Sequence, residues 1–208
     1  MAQTRKSFSY LTKPTYYSNI AILLHWLIGV SIIFMFLLGW FMEGLPKEAP
    51  KSSSYDLFNL GIYTWELTKE TSPRSFYFNL HKSIGITLFL FIIFRVFWRL
   101  THKPPALLSS MKSWEKKLAT SVHHGLYLLM ILIPLAGIIM SVASKYGIKW
   151  FGIKFIPGLD IPSAREIFYQ FHQIFGLLIL FILIFHIVGA LKHNFINKDK
   201  TLRRMWFK

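Results

Sequence analysis

Four histidines lie inside long apolar stretches, where an ionisable side chain is costly and usually functional. They are His25, His81, His172 and His186. Neutral imidazole is a common ligand of transition metals. His172 and His186 are fourteen residues apart, which at about 3.6 residues per turn places them on nearly the same helical face, roughly 21 Å apart along the axis. One helix is therefore expected to present a metal ligand at each of two depths.

The elements that carry these histidines are four apolar stretches, each long enough to cross a membrane, which takes about 20 residues. Hydrophobic residues make up 53% of the 208-residue chain and the mean hydropathy is +0.43, more than a soluble core requires. The predicted fold class is all-α: an integral membrane four-helix bundle, forming one domain over residues 1–208. The predicted spans are about 20–42, 78–99, 122–142 and 168–191, with a long outer loop at 43–77.

The formal net charge of +15 is distributed between apolar runs rather than gathered in one patch, so membrane lipid is a better partner than nucleic acid. Seven of the nine acidic residues lie on the side of the 43–77 loop. The other side is predicted to be cytoplasmic, with both termini, in a bacterial inner membrane. Its basic residues are Arg5, Lys6, Lys13, Arg99, Lys103, Lys112, Lys116, Lys117, Lys192, Lys198, Lys200, Arg203, Arg204 and Lys208.

This orientation pairs the histidines by depth. His25 begins a helix that leaves the cytoplasm, so it is expected at the level of His186, late in a helix that returns there. His81 and His172 each begin a helix that enters from outside, so they share the outer level. Two imidazoles per level are typical of a six-coordinate electron-transfer haem. The chain contains no cysteine, which excludes covalent haem attachment, iron–sulfur clusters and disulfides.

Glycines accompany the same histidines. Three of them follow a candidate ligand by four residues, on the same helical face: Gly29, Gly85 and Gly176. A missing side chain at these positions leaves room for a flat macrocycle. Two alternatives to a haem site are weaker. In the first, the glycines only permit close helix packing around hydrogen-bonded histidines. In the second, the histidines bind zinc, but two histidines without a nearby carboxylate or thiolate make a poor tetrahedral site.

Five motifs along the chain resemble those of the bacterial dihaem cytochrome b561 family, which is related more distantly to the cytochrome b subunits of nickel–iron hydrogenases. They are HW at 25–26, HKSIG at 81–85, RVFWR at 95–99, HHGLYLLMILIPLAG at 123–137 and HIVGALKHNFINKDKTLRRM at 186–205. The resemblance implies two haem b groups whose iron is held by the same four histidines. It also implies exchange of electrons with ubiquinone, including oxidation of superoxide at the outer face.

Several polar residues are candidates for supporting roles. Arg95 and Arg99, one turn apart, are expected to pair with haem propionates, although Arg99 also suits simple snorkelling to the interface. Lys82 is a candidate contact for a propionate or an anionic substrate; alternatively, its side chain simply reaches the outer surface. His193 is a candidate contact for a quinone headgroup; alternatively, it is a solvated histidine at the interface. Catalytic residues stay unassigned. Further candidates are His123 and His124 for propionates or quinone, and Arg74 and Arg165 for positive potential near Lys82.

The predicted function is electron transfer between the two membrane faces, and the resemblance implies a superoxide:quinone oxidoreductase. One alternative is a cytochrome b anchor that links a peripheral dehydrogenase or reductase to the quinone pool. A second is a haem-free transporter or structural bundle.

The stretch YDLFNLGIYTWEL at 55–67 is expected to form an amphipathic outer helix or a lid over the outer haem.

Overall fold

The computed structural model describes residues 16–207 and is dominated by four long helices. They are α1 (Asn19–Gly44), α2 (Pro73–Thr101), α3 (Ser113–Ala143) and α4 (Pro162–Phe195). Each is long and apolar enough to cross a membrane, which confirms the predicted fold class. Every predicted span lies within one helix, and all four helices extend beyond it. Arg5, Lys6, Lys13 and Lys208 lie outside the described residues.

Side-chain caps explain where three of the helices begin. The hydroxyl of Ser18 accepts a hydrogen bond from the Ala21 amide before α1, and Ser72 does the same for the Ser75 amide before α2. Proline follows Ser72 at the first helical position, where its missing N–H costs nothing. At the start of α3, the carboxylate of Glu115 accepts from the Lys112 amide at 2.9 Å. Each cap satisfies an amide that the helix itself leaves free.

The bundle buries a narrow interior and exposes most of its apolar surface. Within the bundle, α1 packs on α2, α2 on α3, and α3 most extensively on α4. The larger buried cluster consists of Leu24, Ile28, Leu88, Ile92, Leu129, Met130 and Ile179. Large apolar side chains such as Phe97, Leu177 and Val188 point outward. That pattern suits a protein whose solvent is lipid, since outward apolar residues cost nothing there.

Two antiparallel hairpins lie at one end of the bundle, here called the hairpin end. Strand β1 (Ser52–Asp56) pairs with β2 (Thr64–Thr71), and β3 (Ile148–Trp150) pairs with β4 (Ile153–Ile156). The opposite end, where α1 begins and α4 ends, is called the termini end.

The expected amphipathic helix at 55–67 is wrong, because this stretch forms most of the β1–β2 hairpin. A short 3₁₀ turn at Leu57–Asn59 connects the strands. Trp65 and Leu67 are half-buried, while Glu66 between them is exposed, which is the two-residue period of a strand. The Asp56 carboxylate accepts from the Gly61 amide at 2.9 Å, and Gly61 has a φ of +67°. A carboxylate that closes the loop onto a glycine in the left-handed conformation favours chain reversal over helix.

The β3–β4 hairpin is fastened to α2 next to His81. The buried hydroxyl of Ser83 accepts from the Phe151 amide at 2.9 Å, and the Trp150 indole donates to the hydroxyl of Thr87 at 3.2 Å. The Lys82 ammonium donates to the Gly147 carbonyl at 3.1 Å. Gly147 has a φ of +62°, and a Cβ there would lie 2.3 Å from a backbone oxygen. Only glycine therefore permits this docking.

At the termini end, a compact C-terminal segment folds back onto α1. His193 Nδ1 lies 2.6 Å from the Asp199 carboxylate, whose other oxygen accepts from the Thr201 amide at 2.8 Å. Beyond this turn, the carbonyl of Met205 accepts a hydrogen bond from the Trp26 indole at 2.7 Å. The segment is thereby tied to the residue that follows His25.

Asp199 is expected to hold this segment in place. Although partial burial alone would raise the pKa of Asp199, hydrogen bonds from Thr201 and His193 keep that pKa below its ordinary value. Asp199→Ala should increase amide hydrogen exchange of residues 201–206 by about tenfold at neutral pH, because it removes roughly 1–2 kcal/mol of hydrogen bonding.

In the unsubstituted chain, the stabilisation by Asp199 should persist above the unfolded-state pKa of about 4 and fall as the pH drops through the lower folded-state value. Lys200→Ala, at an exposed neighbouring side chain, is the control and should leave the exchange unchanged. Equal exchange in the two variants at neutral pH would contradict the role given to Asp199.

Candidate cofactor-binding site

The structure brings the four intramembrane histidines together in the two predicted pairs. At the termini end, the rings of His25 on α1 and His186 on α4 have centroids 5.8 Å apart. At the hairpin end, those of His81 on α2 and His172 on α4 are 6.2 Å apart. A metal–imidazole bond is about 2 Å long, so two rings that share one metal have centroids roughly 6 Å apart. Both separations suit such an arrangement.

A cavity of about 410 Å³ separates the helices at the hairpin-end pair. His81 and His172 both line it, together with Gly85, Gly176 and Lys82. The remainder of its wall is mostly aliphatic or aromatic. A largely apolar cavity with a few convergent polar groups is the usual form of a cofactor site.

The hydrogen bonding of this pair fits metal ligation. His172 Nδ1 lies 3.0 Å from the carbonyl of Ile133 on α3. Because a carbonyl can only accept, Nδ1 carries the hydrogen and Nε2 keeps a free lone pair, the tautomer found in metal-binding histidines. Nδ1 of His81 is buried and has no hydrogen-bond partner among the described residues. Such an orphaned polar atom is rare in a folded protein, and a group bound in the neighbouring cavity could contact it.

The glycines form the flat walls of this cavity. Gly85 and Gly176 line it, as the sequence predicted, and a Cβ at Gly176 would meet nothing within 4 Å. Gly29, beside His25, also faces open space.

The spacing from histidines along the chain did not identify two further glycines, because each of them lies against a histidine ring on another helix. A Cβ at Gly137 would lie 3.2 Å from the His172 ring, and one at Gly39 would lie 3.7 Å from the His81 ring. Gly137 is the last residue of the 123–137 motif, which was the only feature of the sequence that pointed to it. The residues present therefore fit a planar, metal-bearing group held by two imidazoles.

The termini-end pair is surrounded by more polar groups. Arg95 on α2 donates to the Ala21 carbonyl at 3.2 Å, and its Nη2 lies 3.4 Å from His25 Nδ1. Since a guanidinium can only donate, His25 accepts here through Nδ1. Ligation of a metal by Nε2 of His25 therefore requires Arg95 to turn towards another acceptor, which a carboxylate of the cofactor would provide.

A third histidine lies at the same level. The His123 ring on α3 has its centroid 5.2 Å from that of His186, and its Nδ1 donates to the Ala119 carbonyl at 2.5 Å. The sequence placed His123 only among general candidates for propionate or quinone contacts. Its closeness to His186 depends on the extensive packing of α3 on α4, which the chain does not reveal without a structure.

The remaining predicted site residues are more scattered. Arg99 is exposed near the end of α2, and His193 is buried in its pair with Asp199, away from both histidine pairs. Arg74 contacts Glu43 at 2.9 Å and donates to three carbonyls at the end of α1. Its charge is thereby committed to capping α1. Arg165 is exposed at the start of α4 and, as expected, lies close enough to Lys82 to act on it electrostatically.

Comparison with known proteins agrees with this geometry. The family model described as prokaryotic cytochrome b561 matches residues 16–208. Cytochrome b561 homolog 2 of Escherichia coli K12 is 32% identical, covering 95% of this chain and 94% of its own length. Cytochrome b561 homolog 1 of the same organism is 26% identical, over 91% of this chain and 96% of its own. A probable superoxide oxidase CybB of Yersinia pestis is 24% identical, over 91% and 94%.

These matches extend over all four helices and both histidine pairs. With its four membrane-spanning helices the protein is a multi-pass bacterial membrane protein, and the family implies b-type haem and electron transfer. The chain belongs to the prokaryotic cytochrome b561 family.

Proposed function

We propose that this chain is a dihaem cytochrome of the bacterial inner membrane that passes electrons from superoxide at its outer face to ubiquinone. The observation that supports it best is the presence of two histidine pairs at two levels of one bundle, linked by His172 and His186 on α4. Haem, when bound, supplies reversible one-electron transfer. In the reaction, two superoxide anions each lose one electron and leave as dioxygen, while one ubiquinone takes up both electrons and two protons.

The orientation of the chain in the membrane is part of this proposal. Acidic residues concentrate at the hairpin end, whereas the loop between α2 and α3 and the segment after α4 are strongly basic. Because basic loops stay in the cytoplasm, the hairpin end is assigned to the outer face. The His81–His172 pair is then the outer pair and the His25–His186 pair the inner one.

Different side chains and backbone groups of the protein support the cofactor at each of the two levels. At the outer level, the Ile133 carbonyl fixes the His172 ring, and Gly137 allows that ring to lie against α3. At the inner level, Arg95 supplies a cation that can pair with an acidic group of the cofactor. Fixed ligands and a fixed cation set the relative stability of the two oxidation states.

Access for an anion is best at the outer level. Lys82 lines the cavity beside His81, and Lys149 and Arg165 are close enough to act on it electrostatically. Glu43 lines the same cavity, but its carboxylate is paired with Arg74. The unbalanced charge at the mouth is therefore positive, which attracts a small anion such as superoxide.

Replacement of single histidines should remove one haem at a time. His25→Ala and His186→Ala should each lose the inner haem, and His81→Ala and His172→Ala the outer one, because each pair shares one metal. Visible spectra with haem quantified per chain would measure this. His102→Ala, which alters an exposed imidazole stacked on Trp98, is the control and should retain both haems.

Loss of the same haem in His25→Ala and His81→Ala would overturn the pairing. Loss of the inner haem in His123→Ala, with retention in His25→Ala, would replace His25 by His123 as the ligand. Full haem content in all four variants would reject the dihaem proposal itself.

Arg95→Leu should lower the reduction potential of the inner haem by about 50 mV or less, because it removes a nearby cation that favours the reduced, less positive form. The outer haem should change little, since it lies roughly 20 Å away. Potentiometric titration of both haems provides the measurement. Arg99→Leu removes the same charge at an exposed position one turn further along α2 and should have a smaller effect. An unchanged potential at full haem occupancy would reduce Arg95 to a packing role.

Superoxide should reduce the purified cytochrome rapidly, and ubiquinone should reoxidise it. Lys82→Gln should slow reduction by superoxide several-fold at low salt, because a cation at the cavity mouth is lost while its hydrogen bond to Gly147 can be kept. Salt should shrink the difference by screening. Stopped-flow absorbance of the haems follows both half-reactions.

Lys154→Gln, at an exposed position on β4, removes the same charge and is the control. Reoxidation by quinone should be equal in both variants. If superoxide leaves the haems oxidised while quinol or a partner dehydrogenase reduces them, the superoxide reaction is wrong and a role as electron-transfer anchor subunit replaces it.

A further inference from the structure

The turn of the β1–β2 hairpin is unusually apolar for a connection between two strands. Its residues 57–63, LFNLGIY, are called here the turn segment and include no charged side chain. Leu60, Ile62 and Tyr63 are 62%, 81% and 58% exposed. A turn that faces water is normally polar, so this exposure requires an explanation.

The turn segment lies alongside α1 rather than above it. The Phe58 ring contacts both Phe34 and Phe41, with centroids 6.0 and 5.4 Å apart. Phe41 and Phe34 precede the end of α1 at Gly44 by three and ten residues, which is roughly 4.5 and 15 Å along the helix axis. Phe58 therefore lies between these depths, inside the apolar length of the span.

Contacts with α2 give the same depth independently. The Phe58 amide donates to the Tyr77 hydroxyl at 3.0 Å, and the two rings are 5.6 Å apart. Tyr77 is four residues beyond Pro73, where α2 begins, or roughly 6 Å along the axis. Phe58 of the turn segment thus lies below the ends of both flanking helices at the hairpin end.

Several backbone amides of the turn segment donate to other groups of the protein. The Leu57 amide donates to the Tyr63 carbonyl at 2.9 Å, and the Gly61 amide to the Asp56 carboxylate at 2.9 Å. The Phe58 amide has the Tyr77 hydroxyl, as described above. These bonds lower the cost of bringing non-helical backbone close to the membrane.

We propose that the turn segment is a wedge inserted into the membrane leaflet at the hairpin end, with Leu60 and Ile62 at the boundary between the lipid headgroups and the acyl chains. Its exposed apolar face continues the lipid-facing side of α1, where Phe34, Leu37 and Phe41 are also exposed. The wedge anchors the β1–β2 hairpin in the membrane, and the hairpin in turn packs on α2 through Phe76 and Tyr77. This inference needs only the membrane-spanning bundle and holds whichever redox reaction the protein performs.

The chain contains no cysteine, so one introduced cysteine reports on one position. Ile62→Cys, in holoprotein reconstituted into phosphatidylcholine–phosphatidylglycerol vesicles, should carry a nitroxide that is accessible to oxygen and shielded from a water-soluble nickel chelate. Ser53→Cys, at the exposed opposite end of the same hairpin, should show the reverse. The ratio of oxygen to nickel accessibility should be at least fivefold higher at position 62.

Leu60→Cys repeats the test at a second exposed position and guards against local misfolding of one variant. A ratio at positions 60 and 62 equal to that at position 53 would place the turn segment in water and overturn the proposal. Strong dipolar broadening between labels at low protein-to-lipid ratio would also overturn it, because a second copy of the chain would then cover the segment.

Discussion

The cost of placing imidazoles in a hydrocarbon layer governs the structure. A buried ring nitrogen must find a donor, an acceptor or a metal, and the bundle meets that demand by bringing rings from different helices together. The last helix contributes to both levels, because fourteen residues of helix return a side chain to the same face. Glycines on the facing helices then keep the space between the rings open, and α3 supplies the carbonyl that orients His172.

The hairpin end shows how non-helical chain is accommodated next to such a site. The β3–β4 hairpin is bound by the side chains of Ser83 and Thr87 on α2, whereas the β1–β2 hairpin packs on Phe76 and Tyr77 of α2 through aromatic rings. The rings of Trp65 and Phe151 lie parallel, 6.5 Å apart, where the two hairpins approach each other. Lys82 lines the cavity while its ammonium donates to the Gly147 carbonyl of the β3–β4 hairpin.

Sequence reasoning was strongest where a single helix carries the signal. The four spans and the closeness of His25 to His186 and of His81 to His172 follow from hydropathy, helical period and direction of crossing, and the structure reproduces them. Features that depend on contacts between distant segments were not predictable. His123 reaches His186 only through the packing of α3 on α4, Arg74 caps a helix 30 residues away in the chain, and Gly39 and Gly137 serve rings on other helices. For residues 55–67 the sequence offered an amphipathic helix or a lid, and the helix is wrong because the aromatic content hid the two-residue period of the strands. Metal ligation by the four histidines and the dihaem state stay predictions.

The fastening of α2 at Ser83 also bears on the speed of electron transfer. The hydroxyl of Ser83 engages both the Asn79 carbonyl of its own helix and the Phe151 amide of the hairpin, so this part of α2 is fixed from two sides. A redox centre changes its charge by one unit when an electron arrives, and its surroundings tend to shift in response. If His81 holds the proposed outer haem, backbone that cannot readily move would keep that shift small. The hairpin would then lower the reorganisation energy as well as shape the cavity.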